Sequence, residues 1–560
     1  MGEPIDYNKK TLVEIDRLIN RLKKEIVLTG KNLSIAEIVS SFNKTSKIRL
    51  TQDKKILARI KKSIQVMLEN VIEGIPVYGT NSSFGGQAAR ILNKGEIEER
   101  LENARKISEG LVFLDVGVGP ELLPEIVRAA MTIRINMLMQ GVSAVRLETL
   151  KLFKTVINKN IIPVVNSYGG IGASGDLTHN QRVVSALRGL PGVKVINEKG
   201  KIEEARSVLT RNEISLLELD PKEGLALVNG DNFSTSYATY VVRRLLEYFL
   251  IGEVVGAMAI EVLKGTNRSF HPLLASVRPH PGQKESADTY RYLLSGSKLA
   301  YQELEGHKLR PNGIKVQDGY SLRALSQFEG VMIEKIKWAL NVITVNANSV
   351  SDNPLWVPDE LVVKGEDPWQ WVSGGNFLAM HMVEVMDTLR KIITQLVKRN
   401  DRHLARMIDT SENNGLPPNL SNGDSITHCT FKGVQIQSGM FEIYSMILAS
   451  PVSILFGTHE ERNQDITSHA LTSGILALKN LELLKYSLVS NLLAVAQGVD
   501  LRGGAKLLSP RTRPMYEFIR SYSKPVKEDR PLYHDIKKLA DTLEDGVMMG
   551  MVRKKIFAKI

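Results

Sequence analysis

Residues 169–177 read GGIGASGDL, and the tripeptide Ala173-Ser174-Gly175 within them can cyclise. Attack of the Gly175 nitrogen on the Ala173 carbonyl, with loss of water, closes a five-membered ring, and dehydration of Ser174 leaves an exocyclic methylidene. Gly175 leaves the attacking nitrogen uncrowded and can adopt the backbone angles that the ring demands. A bare Ala-Ser-Gly is also a common turn sequence, so the prediction depends on the rest of the chain.

The composition is that of an ordinary globular protein, with 560 residues, 43% hydrophobic and 24% charged. The single cysteine, Cys429, excludes an internal disulfide framework and a cysteine-based zinc site, and it favours a cytoplasmic protein. The first 18 residues are charged and polar, unlike a secretory signal. The longest apolar stretch is broken by Pro451 and is too short to span a membrane.

The formal net charge is +12, but lysine and arginine are spread along the chain and no nucleic-acid-binding motif accompanies them. We therefore expect neither a nucleic acid nor a membrane as partner. A basic surface would attract an anionic substrate, or is simply a solvated face. The ten histidines form no metal-binding pattern, and there is no phosphate loop or dinucleotide fingerprint. No metal and no external cofactor are expected.

Helical periodicity dominates the chain. Apolar residues recur at three- and four-residue steps in 124–140, 235–264, 331–343 and 475–496, whereas strand-like alternation is confined to 192–203 and 355–363. A mainly α protein with long central helices follows. Glycine- and asparagine-rich loops interrupt these helices, and loops on a rigid scaffold are where chemistry usually lies.

The segment from the glycine run through Leu177 resembles the prosthetic-group loop of the aromatic amino acid ammonia-lyases and aminomutases. In that family, which includes the phenylalanine, tyrosine and histidine ammonia-lyases, a methylidene-imidazolone group forms autocatalytically from the tripeptide. The resemblance runs from about residue 30 to 505 and implies the family's long central helical bundle with active-site loops. We accordingly expect an N-terminal region with both catalytic loops at 1–215, the central bundle at 216–505 and a C-terminal helical extension at 506–560.

The resemblance implies further site residues. Tyr78, in YGTNSSFGG, would be the acid/base residue, provided that cationic or hydrogen-bonded surroundings labilise its proton; taken alone it would be a packed surface tyrosine. Asn229, in GLALVNG, would contact the prosthetic group and the substrate amine. Asp231 stands where a threonine is usual, and its alternative interpretation is a helix N-cap.

The motif VQDGYSLRALSQ at 316–327 places Gln317, Tyr320 and Arg323 three residues apart, which predicts one helix face. Arg323 is the natural clamp for a substrate carboxylate, because its fork makes two parallel hydrogen bonds. By resemblance, Tyr320 belongs to the catalytic group and Gln317 to the substrate-binding group.

Asn353 in NSVSDNPL and Phe377 in SGGNF would lie beside the substrate. Glu460 and Gln464, in GTHEERNQDITS, are spaced one helical turn apart; in the family they face the amine and the prosthetic group, whereas in isolation they would be an ordinary polar helix face. Lys432, in FKG, is the lysine aligned with the phenylalanine enzymes.

Phe113-Leu114, in LVFLDVGVG, occupies the family's selectivity pair. The histidine and tyrosine enzymes usually place a histidine there, whereas an apolar pair suits a phenyl ring and rejects a polar one, whose buried polar group would go unpaired. Phenylalanine, giving trans-cinnamate, is therefore the first choice of substrate. Tyrosine is second, and a histidine ammonia-lyase remains an alternative.

The implied reaction is elimination of ammonia: the substrate amine adds to the methylidene, Tyr78 removes a β-proton and the C–N bond breaks. Asp176 is expected to cap the helix that follows the loop. An aromatic 2,3-aminomutase, which returns ammonia to the β-carbon, keeps the same residues and stays an alternative. It gains weight from two departures near the site: THNQ replaces the usual continuation at 178–181, and Leu378-Ala379 follow Phe377 where a polar residue and glycine are usual.

A non-catalytic scaffold is the remote alternative, and the complete set of site residues argues against it. The family forms homotetramers whose active sites draw residues from three subunits. This arrangement allows Tyr78 and Glu460 to belong to different chains.

Overall fold

The computed structural model describes residues 5–92, 94–300, 317–366, 370–423 and 426–558, and most of them are helical, as predicted. The helices α1 to α20 are Leu12–Ile19, Ile35–Ser41, Lys54–Glu73, Ile97–Val112, Pro124–Leu138, Leu147–Asn158, Leu177–Leu187, Ala205–Arg211, Glu223–Val228, Asn232–Val262, Pro272–Ser276, Pro281–Leu294, Tyr320–Arg323, Leu325–Ala347, Met380–Ile408, Thr430–Leu448, Ala470–Leu501, Arg513–Tyr522, Tyr533–Glu544 and Val547–Met551. The strands β1 to β9 are Glu25–Leu28, Lys47–Leu50, Val118–Glu121, Ile162–Pro163, Asn166–Tyr168, Lys194–Ile196, Ile202–Glu204, Leu355–Trp356 and Trp371–Val372.

The core is a bundle of long helices. Helix α10 is 31 residues long, about 46 Å, and almost every one of its side chains is buried. A helix that is buried on all sides needs neighbours on every face. It packs against α5, α14, α15 and α17, and α15 packs in turn against α16 and α17. The four periodic segments predicted as helices fall in α5, α10, α14 and α17, so those predictions are confirmed.

The strands form small sheets at the edge of the bundle. The predicted strand region 192–203 contains β6 and the start of β7, which pair antiparallel with Ile196 opposite Ile202. Only β8 forms within 355–363, where a 3-10 turn at Asp359–Leu361 follows it. The parallel pair β1–β2 and the antiparallel pair β3–β5 were not predicted. Strand β5 matters most, because it leads directly into the glycine loop.

The C-terminal region is helical over α18, α19 and α20. It is tied to α17 by Gln497, whose Oε1 accepts from Val526 N at 3.0 Å and whose Nε2 donates to Val526 O at 2.9 Å. The division of the chain into three regions stays a prediction.

Candidate active site

The glycine loop at 169–176 joins β5 to α7. Gly175 has a φ of +65°, and a Cβ at this position would overlap the Gly230 carbonyl and lie 2.9 Å from Asp231 N. These neighbours are backbone atoms that cannot rotate away, so only glycine fits here. Gly172 has a φ of +73° and is hemmed in by Ser468. The expectation that Gly175 adopts unusual backbone angles is confirmed.

Backbone hydrogen bonds hold the tripeptide against the turn between α9 and α10. Gly230 N donates to Ser174 O at 3.3 Å, and Asp176 N donates to Gly230 O at 2.7 Å. Ser468 Oγ donates to Gly172 O at 3.0 Å from the other side. The loop is therefore clamped between the start of α10 and the segment before α17.

Asp176 lies at the N-cap position of α7, but the prediction that its side chain caps this helix is wrong. Its carboxylate accepts instead from Ser234 N at 2.7 Å and Ser234 Oγ at 2.6 Å, in the first turn of α10. The carboxylate therefore satisfies an N–H group in the first turn of α10, which has no partner within its own helix. Burial raises the pKa of Asp176 to about 7, and the nearby Asp231 raises it too, while the Ser234 hydrogen bonds oppose the shift.

Asp231 occupies the N-cap position of α10 without making a side-chain cap bond. Its Oδ2 accepts from Asn346 Nδ2 at 3.0 Å, and its backbone N–H donates to Ser351 Oγ at 2.9 Å. Burial raises its pKa. The residue therefore connects the glycine loop region to the end of α14 rather than stabilising its own helix.

The unusual run 178–181 is used for packing behind the loop. Thr178 Oγ1 donates to Gly169 O at 2.9 Å, Asn180 Nδ2 donates to Gly230 O at 3.2 Å, and Gln181 Nε2 donates to Leu111 O at 2.7 Å. His179 is buried edge-on against the Phe233 ring, and burial lowers its pKa to about 3. These side chains support the loop from behind.

Tyr78 is half-buried in the turn after α3. Gly85 N–H donates to its hydroxyl oxygen at 2.8 Å. Gly85 has a φ of +60°, and a Cβ there would overlap the Glu460 carboxylate, so Tyr78 and Glu460 come together within one chain. Burial raises the pKa of Tyr78, the Gly85 N–H opposes the shift, and the Glu460 carboxylate adds to it, so the role of Tyr78 as the acid/base residue stays a prediction.

Glu460 and Gln464 lie in a tight turn, so the prediction of a helical spacing is wrong. Glu460, Glu461 and Arg462 have φ values of +49°, +56° and +71°, and His459 pairs with Gln464 across the turn. The two side chains nevertheless meet: Gln464 Nε2 donates to Glu460 Oε2 at 2.9 Å and reaches Ser174 Oγ at 3.5 Å. This turn therefore links the tyrosine loop to the glycine loop.

Asn229 lies at the end of α9, directly before Gly230. Its Nδ2 donates to Asp352 Oδ1 at 3.2 Å and to Asn353 O at 3.5 Å. Asn353 Oδ1 in turn accepts from Gly374 N at 2.8 Å. Asp352 also accepts from Lys222 Nζ at 2.8 Å, and both side chains of this pair are 0% exposed. The two predicted asparagines thus lie together above a buried ion pair.

Arg134 binds the backbone of the two segments that carry Asn229 and Asp352. Its fully buried guanidinium donates to the carbonyls of Ala226 and Asn229, the latter at 2.6 Å, and to Ser351 O at 3.0 Å. Sequence reasoning missed Arg134, Lys222 and Asp352. The signal for the last two was available, since each is a charged residue within a few positions of a predicted site asparagine.

Within the described ranges, no hydrogen bond joins Gln317, Tyr320 or Arg323 to this cluster. Helix α13 begins at Tyr320, so the prediction of one shared helix face is wrong for Gln317, which precedes the helix and is exposed. Tyr320 is 74% exposed, with the Arg323 guanidinium 4.4 Å from its ring centroid. The helix is anchored on α15, where Arg406 Nε donates to Ser321 Oγ at 2.8 Å.

The remaining predicted contacts are peripheral in this chain. Phe113 and Leu114, at the end of α4, are 64% and 44% exposed, and the Arg188 guanidinium lies 5.7 Å from the Phe113 ring centroid. Phe377 is half-buried three residues after Gly374. Lys432 is exposed in the first turn of α16. Among the described residues, no hydrogen bond joins these side chains to Ser174.

The described ranges lack two further features. They contain no group of three or more histidine, cysteine, aspartate or glutamate side chains arranged to hold a metal ion. None of their helices combines the length and apolarity needed to cross a membrane.

Comparison with known proteins supports one family. The model for "Aromatic amino acid lyase" matches residues 33–521. A phenylalanine ammonia-lyase from Nostoc punctiforme is 33% identical over 531 residues, which cover 92% of this chain and 90% of the relative. A histidine ammonia-lyase from Caldanaerobacter subterraneus is 30% identical over 535 residues, which cover 95% of this chain and 99% of the relative. The structure of tyrosine aminomutase from Streptomyces globisporus superposes with a TM-score of 0.85 at 27% identity, over 95% of this chain and 99% of that one.

These relatives, together with a helical bundle whose polar loops meet around Ser174, identify the chain as a carbon–nitrogen lyase. The chain belongs to the aromatic amino acid lyase family, whose members here include ammonia-lyases and aminomutases.

Proposed function

We propose that the protein eliminates ammonia from an aromatic L-amino acid, with phenylalanine as the first choice and trans-cinnamate as the product. One observation carries the proposal, the contact chain from Tyr78 to Ser174. The Tyr78 hydroxyl accepts from Gly85, Gly85 packs against the Glu460 carboxylate, and Gln464 bridges that carboxylate to Ser174 Oγ. A base, a carboxylate and the serine that would become the electrophile are therefore neighbours.

We assign a methylidene-imidazolone group to Ala173-Ser174-Gly175. The residues fit it, because Gly175 has a positive φ and no space for a side chain, and Ala173 is buried. The group, when formed, supplies an electrophilic carbon for the substrate's amino nitrogen. Formation loses two water molecules, so the mature chain should be lighter than its sequence by that amount in intact mass spectrometry, and the Ser174→Ala chain should not.

The chain's own residues account for the proton transfer. Tyr78 takes the β-proton on its phenolate oxygen, which the Gly85 N–H stabilises. Burial and the Glu460 carboxylate raise the pKa of Tyr78, so the phenolate, once formed, is a strong base. Breaking the C–N bond then releases ammonia and leaves the α,β-unsaturated acid. Glu460 and Asn229 would contact the amino group of the substrate. The other predicted substrate contacts stay predictions: Gln464, Gln317, Asn353, Phe377 and Lys432.

We infer that the carboxylate clamp comes from a second copy of the chain. Among the described residues, no hydrogen bond joins Arg323 or Tyr320 to Ser174, and both lie on a short helix that Arg406 of α15 anchors. We infer a homotetramer with composite sites, in which Tyr78 and Glu460 share one chain. Co-expressing the inactive variants Ser174→Ala and Arg323→Ala should restore part of the activity, because some sites in the mixed oligomer would contain neither substitution.

Phenylalanine is favoured over tyrosine and histidine by the apolar pair Phe113-Leu114, which offers no hydrogen bond to a phenol or an imidazole. An aromatic 2,3-aminomutase is the second candidate, since solved aminomutases share the fold at 26–27% identity. The expected cytoplasmic location stays a prediction.

An ultraviolet assay with L-phenylalanine, L-tyrosine and L-histidine tests the proposal, with Ser174→Ala as control. Cinnamate formation that is lost in the variant is the expected result. Formation of β-phenylalanine in chromatography would favour the aminomutase. Absence of any product from all three amino acids would refute the assignment.

A further inference from the structure

The orientation of the Asn229 amide is dictated by its neighbours. Both atoms facing its Nδ2, Asp352 Oδ1 at 3.2 Å and the Asn353 carbonyl oxygen at 3.5 Å, can only accept hydrogen bonds. Only the NH₂ end of the amide can therefore point towards them. The opposite end, Oδ1, receives no hydrogen bond from any described residue, and it is left as the end available to a ligand.

Asp352 is kept in place by charge and by burial. Its Oδ2 accepts from Lys222 Nζ at 2.8 Å, and neither side chain is exposed at all. A carboxylate so placed, with a cation on one oxygen and an amide on the other, has little freedom to rotate. Arg134 adds a clamp on the backbone, since one guanidinium donates to both Asn229 O and Ser351 O. The two segments that carry the amide and the carboxylate are thus tied together.

We propose that Asp352, held by Lys222, is a positioning residue that fixes Asn229 with its oxygen towards the substrate, where it accepts an N–H from the substrate's amino group. The inference rests on the proposed function and goes beyond it by assigning a polarity to the contact. An acceptor in this position binds the amino end of an amino acid and offers nothing to a carboxylate. The product acid, which has no amino group, makes no use of it.

This difference between substrate and product gives the test. The full-length Ser174→Ala protein, which should bind without turnover, is titrated calorimetrically with L-phenylalanine and with trans-cinnamate. Adding Asp352→Asn lets residue 352 present either a donor or an acceptor, so the Asn229 amide can flip. Loss of one hydrogen bond to a charged group should weaken L-phenylalanine binding by about 10-fold. Cinnamate binding should change by less than about 2-fold, because it lacks the group concerned.

Two further variants separate orientation from charge and from folding. The exchange Asn229→Asp with Asp352→Asn keeps the net charge, lets the new amide donate to residue 229 and accept from Lys222, and still leaves a carboxylate oxygen facing the ligand. It should restore L-phenylalanine binding to within about 3-fold of the parent. The double variant Lys222→Met with Asp352→Asn removes both buried charges together. Like Asp352→Asn alone, it should weaken L-phenylalanine binding more than cinnamate binding, and it provides this test even if the single variant folds poorly.

Equal weakening of both ligands, or failure of the folded exchange variant to recover L-phenylalanine binding, would overturn the positioning role. A folded Ser174→Ala parent that binds neither ligand, beside a wild type without lyase activity, would instead overturn the proposed function and this inference with it. Circular dichroism and melting curves on every variant identify which case applies.

Discussion

Replacing the buried Asp176 carboxylate with an amide should remove a pH dependence of stability. Burial raises the pKa of Asp176 from 3.8 to about 7. Between these values the unfolded chain releases its proton while the folded chain keeps it, so the free energy of unfolding falls as pH rises. The contribution is present in full below the unfolded pKa and is lost as pH reaches the folded one. A shift of about three units corresponds to about 4 kcal/mol.

The structure should tolerate Asp176→Asn, because the amide oxygen can accept from Ser234 N and the amide nitrogen can donate to Ser234 Oγ. Relative to wild type, the variant should gain up to about 4 kcal/mol of stability between about pH 4 and about pH 7. Urea unfolding followed by circular dichroism across that range measures the difference, with Asp541→Asn, on an exposed position of α19, as control. A difference that stays constant with pH would refute the reasoning.

Three other substitutions give distinct outcomes. Gly175→Ala should prevent cyclisation, since its Cβ would overlap the Gly230 carbonyl, and intact mass should then show the unmodified chain. Glu460→Gln should lower the pKa of Tyr78, because the carboxylate now raises it. The rising limb of the pH–rate profile, which reports deprotonation of the base, would then move to lower pH, and a rising limb that stays in place would contradict the assignment. Lys222→Met should cost about 3–5 kcal/mol by leaving its carboxylate partner buried and unpaired; denaturant unfolding giving a loss below about 1 kcal/mol would count against a tight pair.

The long helices could be predicted from the sequence because their signal is local and repeated. In α14 and α17 the apolar residues recur over many turns, and no other structure satisfies such spacing. The turn at Glu460–Arg462 shows the limit. Three successive non-glycine residues adopt left-handed backbone angles there, held by packing against Gly85 and Gly86 from a loop nearly 400 positions away. Nothing in the local sequence encodes that contact.

In the candidate site, too, the sequence predicts individual residues but not their partners. Short motifs identified Tyr78, Ser174 and Asn229, because the resemblance covers loops whose residue types are unusual. The pairings among them depend on tertiary structure, as Asp176 illustrates: its local sequence predicts a cap for α7, yet the carboxylate binds a serine 58 positions later. The buried ion pair Lys222–Asp352 likewise joins positions 130 apart. A single sequence does not show which charged residues pair in the folded chain.

The clamping of the tripeptide also sets an order of events in maturation. Ser174 and Gly175 are held by the turn at Gly230, and the loop is closed from the other side by Ser468, some 300 positions further along the chain. Under the proposed chemistry, we expect the ring to close after these distant segments have met. A newly made chain would therefore fold first and acquire its electrophile second. In a pulse-labelled sample, the fraction of dehydrated chains at each time would then report the fraction of chains that have folded.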